Sequence, residues 1–348
     1  MLFTSEQVSA GHPDKLCDQI ADAIVTDCLR HDRSSRVAVE CMMKDCMILI
    51  AGEITSSHFP DCETLCREVL ERVGVPGPDS FLVTAMLTRQ SREIGVGVDR
   101  GGAGDQGLMF GYATDETPQM LPLPFAVATR ALELLRDRHS PILLPDAKSQ
   151  VTFDYASRRI HTFLISTQHR FEVRQKELYP LVRSVMNDAA DAYGLNHDFR
   201  VLINPSGSFV TGGSYADTGV TGRKIVADTY GGLCRCGGGA LSGKDPTKVD
   251  RSGAYMARKI AKDIVREGLA SRCEVQLAYA IGKSAPVSVS AQFFGSNRVP
   301  PHEILRKIRS RYDLTPTGII DSLGLKDVDY NRVSAYGHFG KADLPWEM

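Results

Sequence analysis

Cations and carboxylates recur together in short segments of the chain that also contain glycine, proline or serine. The cations are His12, Lys15, Lys148, Arg223, Lys224, Lys244 and Lys248, and the carboxylates near them are Asp14, Asp146 and Asp250. Ammonium and guanidinium groups bind phosphate oxygens, and carboxylates bind Mg²⁺, so the set suits a polyphosphate held with a divalent metal ion. No Ser-His-Asp or Cys-His arrangement stands out, so covalent catalysis is not indicated.

The first of these segments is Gly11-His12-Pro13-Asp14-Lys15. A proline followed by an aspartate is typical of the first turn of a helix. Such a helix start places free backbone N–H groups beside His12 and Lys15, where an anion would bind, and Asp14 would hold a bridging Mg²⁺. The same residues fit an ordinary N-terminal cap equally well, with Asp14 favouring the helix dipole.

Two further segments carry the same combination with less specificity. Pro145-Asp146-Ala147-Lys148-Ser149-Gln150 places a carboxylate and an ammonium side by side ahead of a predicted strand, which turns commonly do. Arg223 and Lys224 are adjacent cations behind Gly222, with Asp217 upstream. A solvated turn explains this second segment about as well as an anion site does.

The segment from Gly238 to Asp245 is one residue short of a Walker A loop. Asp245 replaces the Ser or Thr that would hold Mg²⁺, and no hydrophobic strand precedes the glycines, so a P-loop NTPase is excluded. The glycine amides and Lys244 still suit a phosphate, and Lys248 and Asp250 follow directly.

Glu40 interrupts an apolar strand pattern. Alternation places it on the face opposite Val37 and Val39, where a carboxylate is costly unless it meets a cation. Exposure at a sheet edge is the alternative explanation. Glu53, at the end of the next predicted strand, is expected to share the pocket of Glu40.

Composition excludes several classes of protein. The 348 residues include 41 Lys plus Arg and 42 Asp plus Glu, so bulk charge favours neither nucleic acid nor a membrane surface as a partner. The longest apolar run, Met47–Ala51, is too short to span a bilayer, and the start of the chain does not resemble a signal peptide. Nine cysteines, an odd number without C-x₂-C spacing, are expected to be reduced thiols, and we expect a cytoplasmic location.

Alternating helix and strand patterns predict an α+β protein, and no internal repeat is evident. The 3.6-residue and two-residue periods predict six helices, a hairpin and three further strands. The helices are expected at 13–30, 62–73, 124–138, 179–193, 252–267 and 302–312, of which the last is a long helix. The strands are expected at 36–42, 46–51, 199–203, 274–281 and 287–294, and the first two of them form the hairpin.

Five segments, in order and over essentially the whole chain, resemble the S-adenosylmethionine synthetase (methionine adenosyltransferase) family. They are Gly11–Lys15, Gly102–Gly107, Pro145–Gln150, Gly237–Asp245 and Ala335–Gly340. The resemblance implies attack of methionine sulfur on C5′ of ATP, followed by hydrolysis of the bound tripolyphosphate to pyrophosphate and phosphate. It also implies three similar α+β subdomains around a pseudo-threefold axis, for which we predict the boundaries 1–98, 99–210 and 211–348.

The resemblance also implies a homodimer with active sites at the interface, and tetramers are common in the family. Among the site residues, His12, Lys148, Arg223 and Lys244 are expected to be catalytic through their phosphate contacts. ATP binding is expected to involve these four together with Asp146, Ser208, Phe209, Asp217, Lys224 and Ala240. Methionine is expected to be bound by Glu53, Gln90, Asp105, Asp217 and Lys248. Of the metal ions, two Mg²⁺ per site would be held by Asp14 and Asp250, and K⁺ by Glu40.

The chain departs from the family pattern at several of these positions. Ser208 stands where the family usually has an arginine, which removes one expected phosphate contact. The segment Gly213-Ser214-Tyr215-Ala216-Asp217 replaces the usual Gly-Pro-x-Gly-Asp, and Gln90-Ser91-Arg92-Glu93, expected to open a gating loop, lacks the usual Pro-Asp. Affinity, loop behaviour and oligomeric state are the properties that these differences are expected to change.

Overall fold

Three small sheets, each packed against helices, build the molecule, and this confirms the predicted α+β class. The computed structural model describes residues 1–90, 101–138 and 141–348. In these ranges the helices are α1 (Pro13–His31), α2 (Cys62–Val73), α3 (Leu123–Asp137), α4 (Gln175–Asp191), α5 (Ile225–Asp228), α6 (Val249–Arg266), α7 (Pro301–Arg311) and α8 (Pro316–Ser322). The described helices include none that is long and apolar enough to cross a bilayer.

The strands fall into three sheets. The first sheet has the order β4-β3-β2-β9, with β2 (Arg36–Lys44), β3 (Met47–Thr55), β4 (Leu82–Thr88) and β9 (Gly219–Val220). The second has the order β1-β6-β7-β8, with β1 (Leu2–Val8), β6 (Leu143–Asp154), β7 (Arg159–His169) and β8 (Arg200–Ile203). The third has the order β11-β10-β5, with β5 (Gly107–Thr114), β10 (Arg272–Tyr279) and β11 (Ser288–Gln292).

Each sheet is built on the same local unit, a helix followed by an antiparallel hairpin and a second helix. The units are α1-β2-β3-α2, α3-β6-β7-α4 and α6-β10-β11-α7. In the first two units the second helix leads to a strand that pairs in parallel with the hairpin, β4 beside β3 and β8 beside β7. The sequence shows no matching repeat, because a shared pattern of elements does not require shared residues.

Each unit also receives a strand from elsewhere in the chain. β9, which comes ahead of α6, pairs with β2; β1, ahead of α1, pairs with β6; and β5, ahead of α3, pairs with β10. All three pairings are antiparallel. The exchange ties the three units together through backbone hydrogen bonds. The boundaries 1–98, 99–210 and 211–348 divide the chain by sequence and remain a prediction.

Helix α1 follows closely from its sequence. His12 is the N-cap, Pro13 occupies the first turn, and Leu16, Ile20 and Ile24 repeat at helical spacing. Almost every side chain of α1 is buried, because the helix packs on β2 on one side and on α2 and β9 on others. The N-terminal end of α1 is therefore held rigidly inside the molecule.

Two differences from the predicted elements concern proline. Helix α4 begins at Gln175, one turn before the predicted Tyr179, because Arg174 and Glu177 form a capping box and Pro180 is accommodated inside the helix. Strand β6 runs straight through Pro145–Gln150, which the sequence analysis placed ahead of a strand. Its side chains alternate, with Ala147, Ser149 and Val151 buried, so Asp146 and Lys148 are strand residues.

The C-terminal residues complete the packing around α6. Glu347 forms a two-point ion pair with Arg258, both at 2.9 Å, and also accepts hydrogen bonds from Lys262 and the Gly340 N–H. The Trp346 ring stacks on Tyr255 with the ring centres 3.7 Å apart. Since α6 begins next to Asp250, these contacts help to fix the position of that carboxylate.

Candidate active site

His12 caps α1 with its side chain, so the cap interpretation and the anion-site interpretation describe the same geometry. Its Nδ1 accepts a hydrogen bond from the backbone N–H of Asp14 at 3.2 Å. Burial and the charges of Lys224 and Lys148 lower the pKa of His12 to about 3, so the imidazole is neutral at pH 7. Because Nδ1 is an acceptor, the proton of the neutral ring is on Nε2, which is then free to donate.

Three aspartates, spaced four residues apart on one face of α1, hold the loops of the site. Asp14 Oδ1 accepts from Val220 N–H at 2.9 Å, Asp18 Oδ1 from Gly222 N–H at 2.8 Å, and Asp22 Oδ1 from Gly243 N–H at 3.0 Å. We call Asp14, Asp18 and Asp22 the aspartate ladder. The ladder fixes the backbone of two cation-bearing segments, 219–224 and 243–245, against the helix.

Each member of the ladder also contacts a cation. Lys224 Nζ lies 2.5 Å from Asp14, Lys15 Nζ lies 2.9 Å from Asp18, and Arg251 donates to Asp22. Burial alone would raise the pKa of Asp14, but the hydrogen bonds from Lys224 and Val220 outweigh it, and the net pKa lies below the usual value. Asp14 is therefore a buried carboxylate that stays ionised.

The edge of β2 that faces away from β3 binds segments 219–224 and 243–245 on the side opposite α1. Val39 N–H donates to the Gly243 carbonyl at 2.9 Å, and Ala38 forms an isolated bridge with Lys244. Further along the strand, Thr221 exchanges hydrogen bonds with Cys41. Segments 219–224 and 243–245 are thus held between α1 and β2, which fixes the backbone that carries their cations.

A close backbone contact brings β6 to the start of α1. A Cβ on Gly11 would lie 2.4 Å from the backbone of Pro145, so only glycine fits there. Ser9 reinforces the contact, since its hydroxyl donates to the Pro145 carbonyl at 2.7 Å. Asp146 and Lys148 consequently lie next to the α1 N-terminus, and the charge of Lys148 contributes to the low pKa of His12.

Asp146 differs from Asp14 in its partners. It is buried and accepts a hydrogen bond from Gly213 N–H at 2.8 Å, and among the described residues no cation donates to it. Burial raises the pKa of Asp146 to about 6. Its bond to Gly213 also places the segment that carries Asp217 beside β6.

Asp250, Lys244 and Ala240 meet in a second close-packed group. Lys244 Nζ lies 2.5 Å from Asp250 Oδ2. A Cβ on Gly239 would lie 2.2 Å from the Asp250 carboxyl carbon, and one on Gly222 would lie 2.5 Å from the Ala240 side chain. The glycines of the predicted phosphate segment are therefore required for close packing with Asp250 and with the Arg223–Lys224 turn.

Phe209 and Ser208 follow the end of β8. Phe209 is fixed by two hydrogen bonds with His169, whose ring Nε2 accepts the Phe209 N–H at 3.1 Å. Ser208 is exposed, and Asp217 is exposed with its carboxylate bonded to Thr218 N–H at 2.9 Å. These residues lie at the open side of the group formed by Asp146 and Gly213.

The residues predicted to bind methionine are less closely connected to one another. Glu53 is exposed and lies opposite Ala38 in the sheet, and Gln90 N–H donates to Thr55 Oγ1 at 3.2 Å. Asp105 is exposed, and its carboxylate accepts the Gln106 N–H at 2.7 Å. Lys248 is the N-cap residue of α6, and its Nζ lies 2.5 Å from Asp245. The rest of the predicted gating segment, residues 91–93, lies outside the described residues.

Glu40 lies on the outer face of the first sheet, away from α1 and α2. We call this surface, with Met42, Met47, Leu82, Met86, Glu40 and Glu53, the outer sheet face. Its apolar side chains are 44%, 47%, 61% and 64% exposed for Met42, Met47, Leu82 and Met86. In the single chain Glu40 is exposed, which agrees with the alternative explanation given for it from the sequence.

One sequence prediction about the phosphate-binding cations is wrong. Lys15 does not lie in a loop but in α1, where it is buried with Nζ bonded to Asp18 and, at 2.5 Å, to Asp228. The nearby carboxylates raise the pKa of Lys15 despite its burial. Lys15 is thus an interior counter-charge, because both of its partners are acids of the protein itself.

Asp18, Asp22, Asp228 and Arg251 were missed by the sequence analysis. The spacing Asp14-x₃-Asp18-x₃-Asp22 on an otherwise apolar helix was the available signal, since three buried carboxylates on one face require partners. Asp228 had no such signal. Its backbone carbonyl accepts the His338 N–H at 2.8 Å, which ties the Ala335–Gly340 segment to the site.

The donor atoms present suit the implied metal ions. Asp14 and Asp250 offer carboxylate oxygens, the ligands that Mg²⁺ prefers, and each already stabilises a positive charge, that of Lys224 or Lys244. Glu40 offers one exposed carboxylate of the kind that K⁺ accepts. All nine cysteines are free thiols, as expected from the sequence, and six of them are buried.

Comparison with known proteins agrees with this arrangement. Models of the S-adenosylmethionine synthetase family match the chain in three parts, the N-terminal domain at residues 1–91, the central domain at 100–209 and the C-terminal domain at 211–348. A protein of Treponema denticola named S-adenosylmethionine synthase is 46% identical to this chain over 369 aligned positions. The alignment covers 99% of this chain and 95% of that protein.

Proposed function

Because the chain belongs to the S-adenosylmethionine synthetase family and catalyses synthesis of S-adenosylmethionine, we propose a two-step reaction for its site. In the first step the sulfur of methionine attacks C5′ of ATP and displaces tripolyphosphate. In the second step the bound tripolyphosphate is hydrolysed to pyrophosphate and phosphate before release.

The bond changes explain why the site needs cations more than a base. The sulfur lone pair forms the S–C5′ bond while the C5′–O5′ bond breaks, and that electron pair leaves with the tripolyphosphate. A thioether has no proton to lose, so no general base is required. Catalysis then depends on alignment and on stabilising a leaving group of about four negative charges.

The observation that carries the proposal is that Lys224 and Lys244 come from two segments held against α1, with Lys224 beside the neutral cap residue His12. Both lysines are held at 2.5 Å by carboxylates, Asp14 and Asp250, so their positions are set before a substrate binds. His12 Nε2–H is an uncharged donor suited to the oxygen that departs from C5′. Because its pKa is about 3, His12 acts by hydrogen bonding and not as a general acid at pH 7.

The remaining phosphate and nucleotide contacts are assigned by position. Lys148 and Arg223 are exposed at the same end of α1 and would bind phosphate oxygens. Asp146, Phe209, Asp217 and Ala240 would bind the rest of ATP, with Ser208 in place of an arginine. Two Mg²⁺ ions, held by Asp14 and Asp250, would supply charge that stabilises the leaving phosphate oxygens. K⁺ would bind at Glu40.

We assign methionine to the exposed side of the site, with Glu53, Gln90, Asp105, Asp217 and Lys248 as its ligands. In the single chain Glu53, Asp105 and Asp217 are exposed, and Glu53 lies on the outer sheet face. A sheet face with four large apolar side chains about half exposed favours a protein partner over water. This supports a homodimer in which a second chain covers the outer sheet face and completes both sites.

The nine free thiols support a reducing environment, and we place the reaction in the cytoplasm.

The direct test is product analysis with ATP, methionine, Mg²⁺ and K⁺. We expect equal amounts of S-adenosylmethionine, pyrophosphate and phosphate. No sulfonium product from ATP and methionine, together with phosphate release from added tripolyphosphate, would replace the proposal with a tripolyphosphatase, a result that the loss of arginine at Ser208 would then explain. Absence of all three products would identify a chain without catalytic activity.

Lys148 allows a test of the phosphate contacts that should leave the folding of the protein unaffected. It is exposed, so Lys148→Met removes a charge without removing buried contacts. We expect the KM for ATP to rise and kcat to fall, by about tenfold in kcat/KM. Lys176→Met, an equally exposed lysine on α4, is the matched control and should leave both constants unchanged.

A further inference from the structure

Three metal-ligating side chains meet at the C-terminal end of α1, outside the site described above. Asp27 and His31 are one turn apart on the helix, and His58 comes from the loop after β3. His58 Nε2 lies 2.6 Å from Asp27 Oδ2, and His31 Nδ1 lies 3.3 Å from Asp27 Oδ1. One ligand atom from each of the three residues fits within a span of 4.8 Å.

The loop that carries His58 is fixed in place by Asp32, the C-cap residue of α1. Asp32 accepts hydrogen bonds from the Ser57 N–H at 2.8 Å and the Ser57 hydroxyl at 3.0 Å. Ser56 in turn accepts the His58 N–H at 3.0 Å. These bonds place the His58 ring against that of His31, with the ring centres 4.0 Å apart. The ligand positions are therefore set by the backbone and do not depend on a mobile loop.

The cluster is open to solvent. Asp27 and His58 are partly exposed, His31 is exposed, and the first two line a surface cavity of about 410 Å³. The nearest arginine on the helix, Arg30, is paired with Asp329 at 3.0 Å, and Arg72 donates to Asn331. An ion can reach the cluster without displacing apolar packing.

We propose that Asp27, His31 and His58 bind a divalent first-row transition-metal ion, represented by Zn²⁺, with water in the remaining positions. A set of two imidazoles and one carboxylate suits such ions, whereas Mg²⁺ prefers oxygen ligands alone. Ligand atoms about 2 Å from a tetrahedral ion are about 3.3 Å apart, so small side-chain rotations suffice. With about 1.5 Å of helix per residue, this site lies about 20 Å along α1 from Asp14.

A bound ion would join the C-terminal end of α1 to the loop that follows β3. The ion would bind the folded chain and not the unfolded one, because the three ligands come together only in the fold. Metal binding is then expected to raise the thermal stability of the protein.

Titration of the full-length, metal-free, reduced protein with Zn²⁺ in saturating Mg²⁺ tests the proposal. Mg²⁺ occupies the hard carboxylate sites during the experiment. We expect one equivalent of Zn²⁺ to bind, with affinity reduced by at least about tenfold in His31→Asn and in His58→Asn. His197→Asn is the matched control, because His197 pairs with Asp191 at 2.7 Å without a second histidine, and it should bind Zn²⁺ like the unaltered protein.

Two further measurements make the result decisive. Co²⁺ in place of Zn²⁺ should give weak visible absorption without the strong near-ultraviolet band of a cobalt–thiolate bond, which separates this cluster from the free cysteines. Zn²⁺ should raise the melting temperature of the unaltered protein and of His197→Asn, but not of His58→Asn. Equal Zn²⁺ binding by His58→Asn and the unaltered protein, no binding by either, or a thiolate band would overturn the proposal.

Discussion

The N-terminal end of α1 and the outer sheet face both carry carboxylates that we propose belong to the site, and the two regions differ in what surrounds those carboxylates. At the end of α1, every member of the aspartate ladder has a backbone N–H and a cation as partners. On the outer sheet face, Glu40 and Glu53 are exposed among half-exposed methionines and a leucine. The contrast follows the chemistry, because the phosphate side must be ordered before a highly charged group arrives, whereas the methionine side must admit its substrate.

The difference also indicates what stabilises each of the two regions. Buried charges are tolerated only when they are paired, so the ladder must form as the chain folds. An exposed apolar face has no such requirement, so the chain can fold before a partner covers that face. Mutations in the aspartate ladder should therefore lower turnover or the free energy of unfolding, whereas mutations on the outer sheet face should disrupt the association of two chains.

The largest effect is expected at the ladder, where Asp14 and Asp18 form a matched pair one turn apart. Asp14→Asn should lower kcat by about 100-fold to 1,000-fold, because it removes the charge that positions Lys224 and holds Mg²⁺. Asp18→Asn should leave kcat within about threefold but lower the free energy of unfolding by about 3 kcal/mol, because Lys15 loses a buried partner. Steady-state kinetics and urea unfolding of both variants measure the two effects. Unchanged turnover in Asp14→Asn would remove it from the metal site.

A second prediction uses Asp146, a buried carboxylate to which no cation in the described part of the chain is bonded. The pKa of Asp146 is raised from 3.8 to about 6, so the folded protein binds this proton more tightly than the unfolded chain. Stability from this group is present below about pH 4 and is lost as the pH rises through about 6. Asp146→Asn keeps an acceptor for the Gly213 N–H and should be more stable than the unaltered protein by about 2 kcal/mol at pH 7.5.

The measurement is thermal unfolding of both proteins between pH 4 and pH 8. The gain from Asp146→Asn should disappear towards pH 4, where the unaltered carboxyl is protonated and neutral. A gain that is the same at every pH would show that ionisation of Asp146 is not its cause. The same variant should bind ATP more weakly, because the carboxylate is one of its predicted ligands.

On the outer sheet face, Met86→Lys should convert the proposed dimer to a single chain at low protein concentration and lower turnover by about tenfold. The charge would be buried without a partner if a second chain covered this face. Phe171→Lys is the control, because Phe171 is 82% exposed and lies away from the outer sheet face. Light scattering after size exclusion and the product assay provide the two readouts. A Met86→Lys protein that stays dimeric would place the interface elsewhere.

The smallest effect is expected at Ser208. Ser208→Arg should restore a phosphate contact and lower the KM for ATP by about threefold, with little change in the KM for methionine. Ser206→Arg adds the same charge two residues earlier in the same exposed segment and serves as the control. Equal effects of the two variants would indicate general electrostatic attraction and not a specific contact.

Much of the fold could be predicted from local pattern. Helix α1 and the β2–β3 hairpin came out close to their observed bounds, because their apolar residues repeat at 3.6 and at two residues and their ends carry clear caps or turns. Strand β6 was expected to begin only after Gln150, since Pro145 and the charged pair around Ala147 are typical of a turn. The exchange of β1, β5 and β9 between units was also beyond local pattern, as pairing partners in those sheets lie far apart in sequence.

For the candidate site, residue types were easier to predict than their partners. The sequence identified Asp14, Lys224, Lys244 and Asp250 as charged groups near glycines, and the structure pairs them. It placed Lys15 with the phosphate ligands, although that lysine points into the protein. The sequence gives the charge of a side chain but not the direction in which the side chain points. That direction is set by the acidic groups that the fold places beside it.

The sequence by itself determined the α+β class and the family, because these depend on local periodicity and on short motifs, and it predicted the charged residues proposed to bind ATP. The tertiary structure decided which cations neutralise buried aspartates, and it showed that the single chain leaves the outer sheet face uncovered. The physical reason is the cost of burying a charge, which is met only by partners that come from distant parts of the chain. The Asp27–His31–His58 cluster has the same origin, since its ligands are brought together by the meeting of a helix end and a loop.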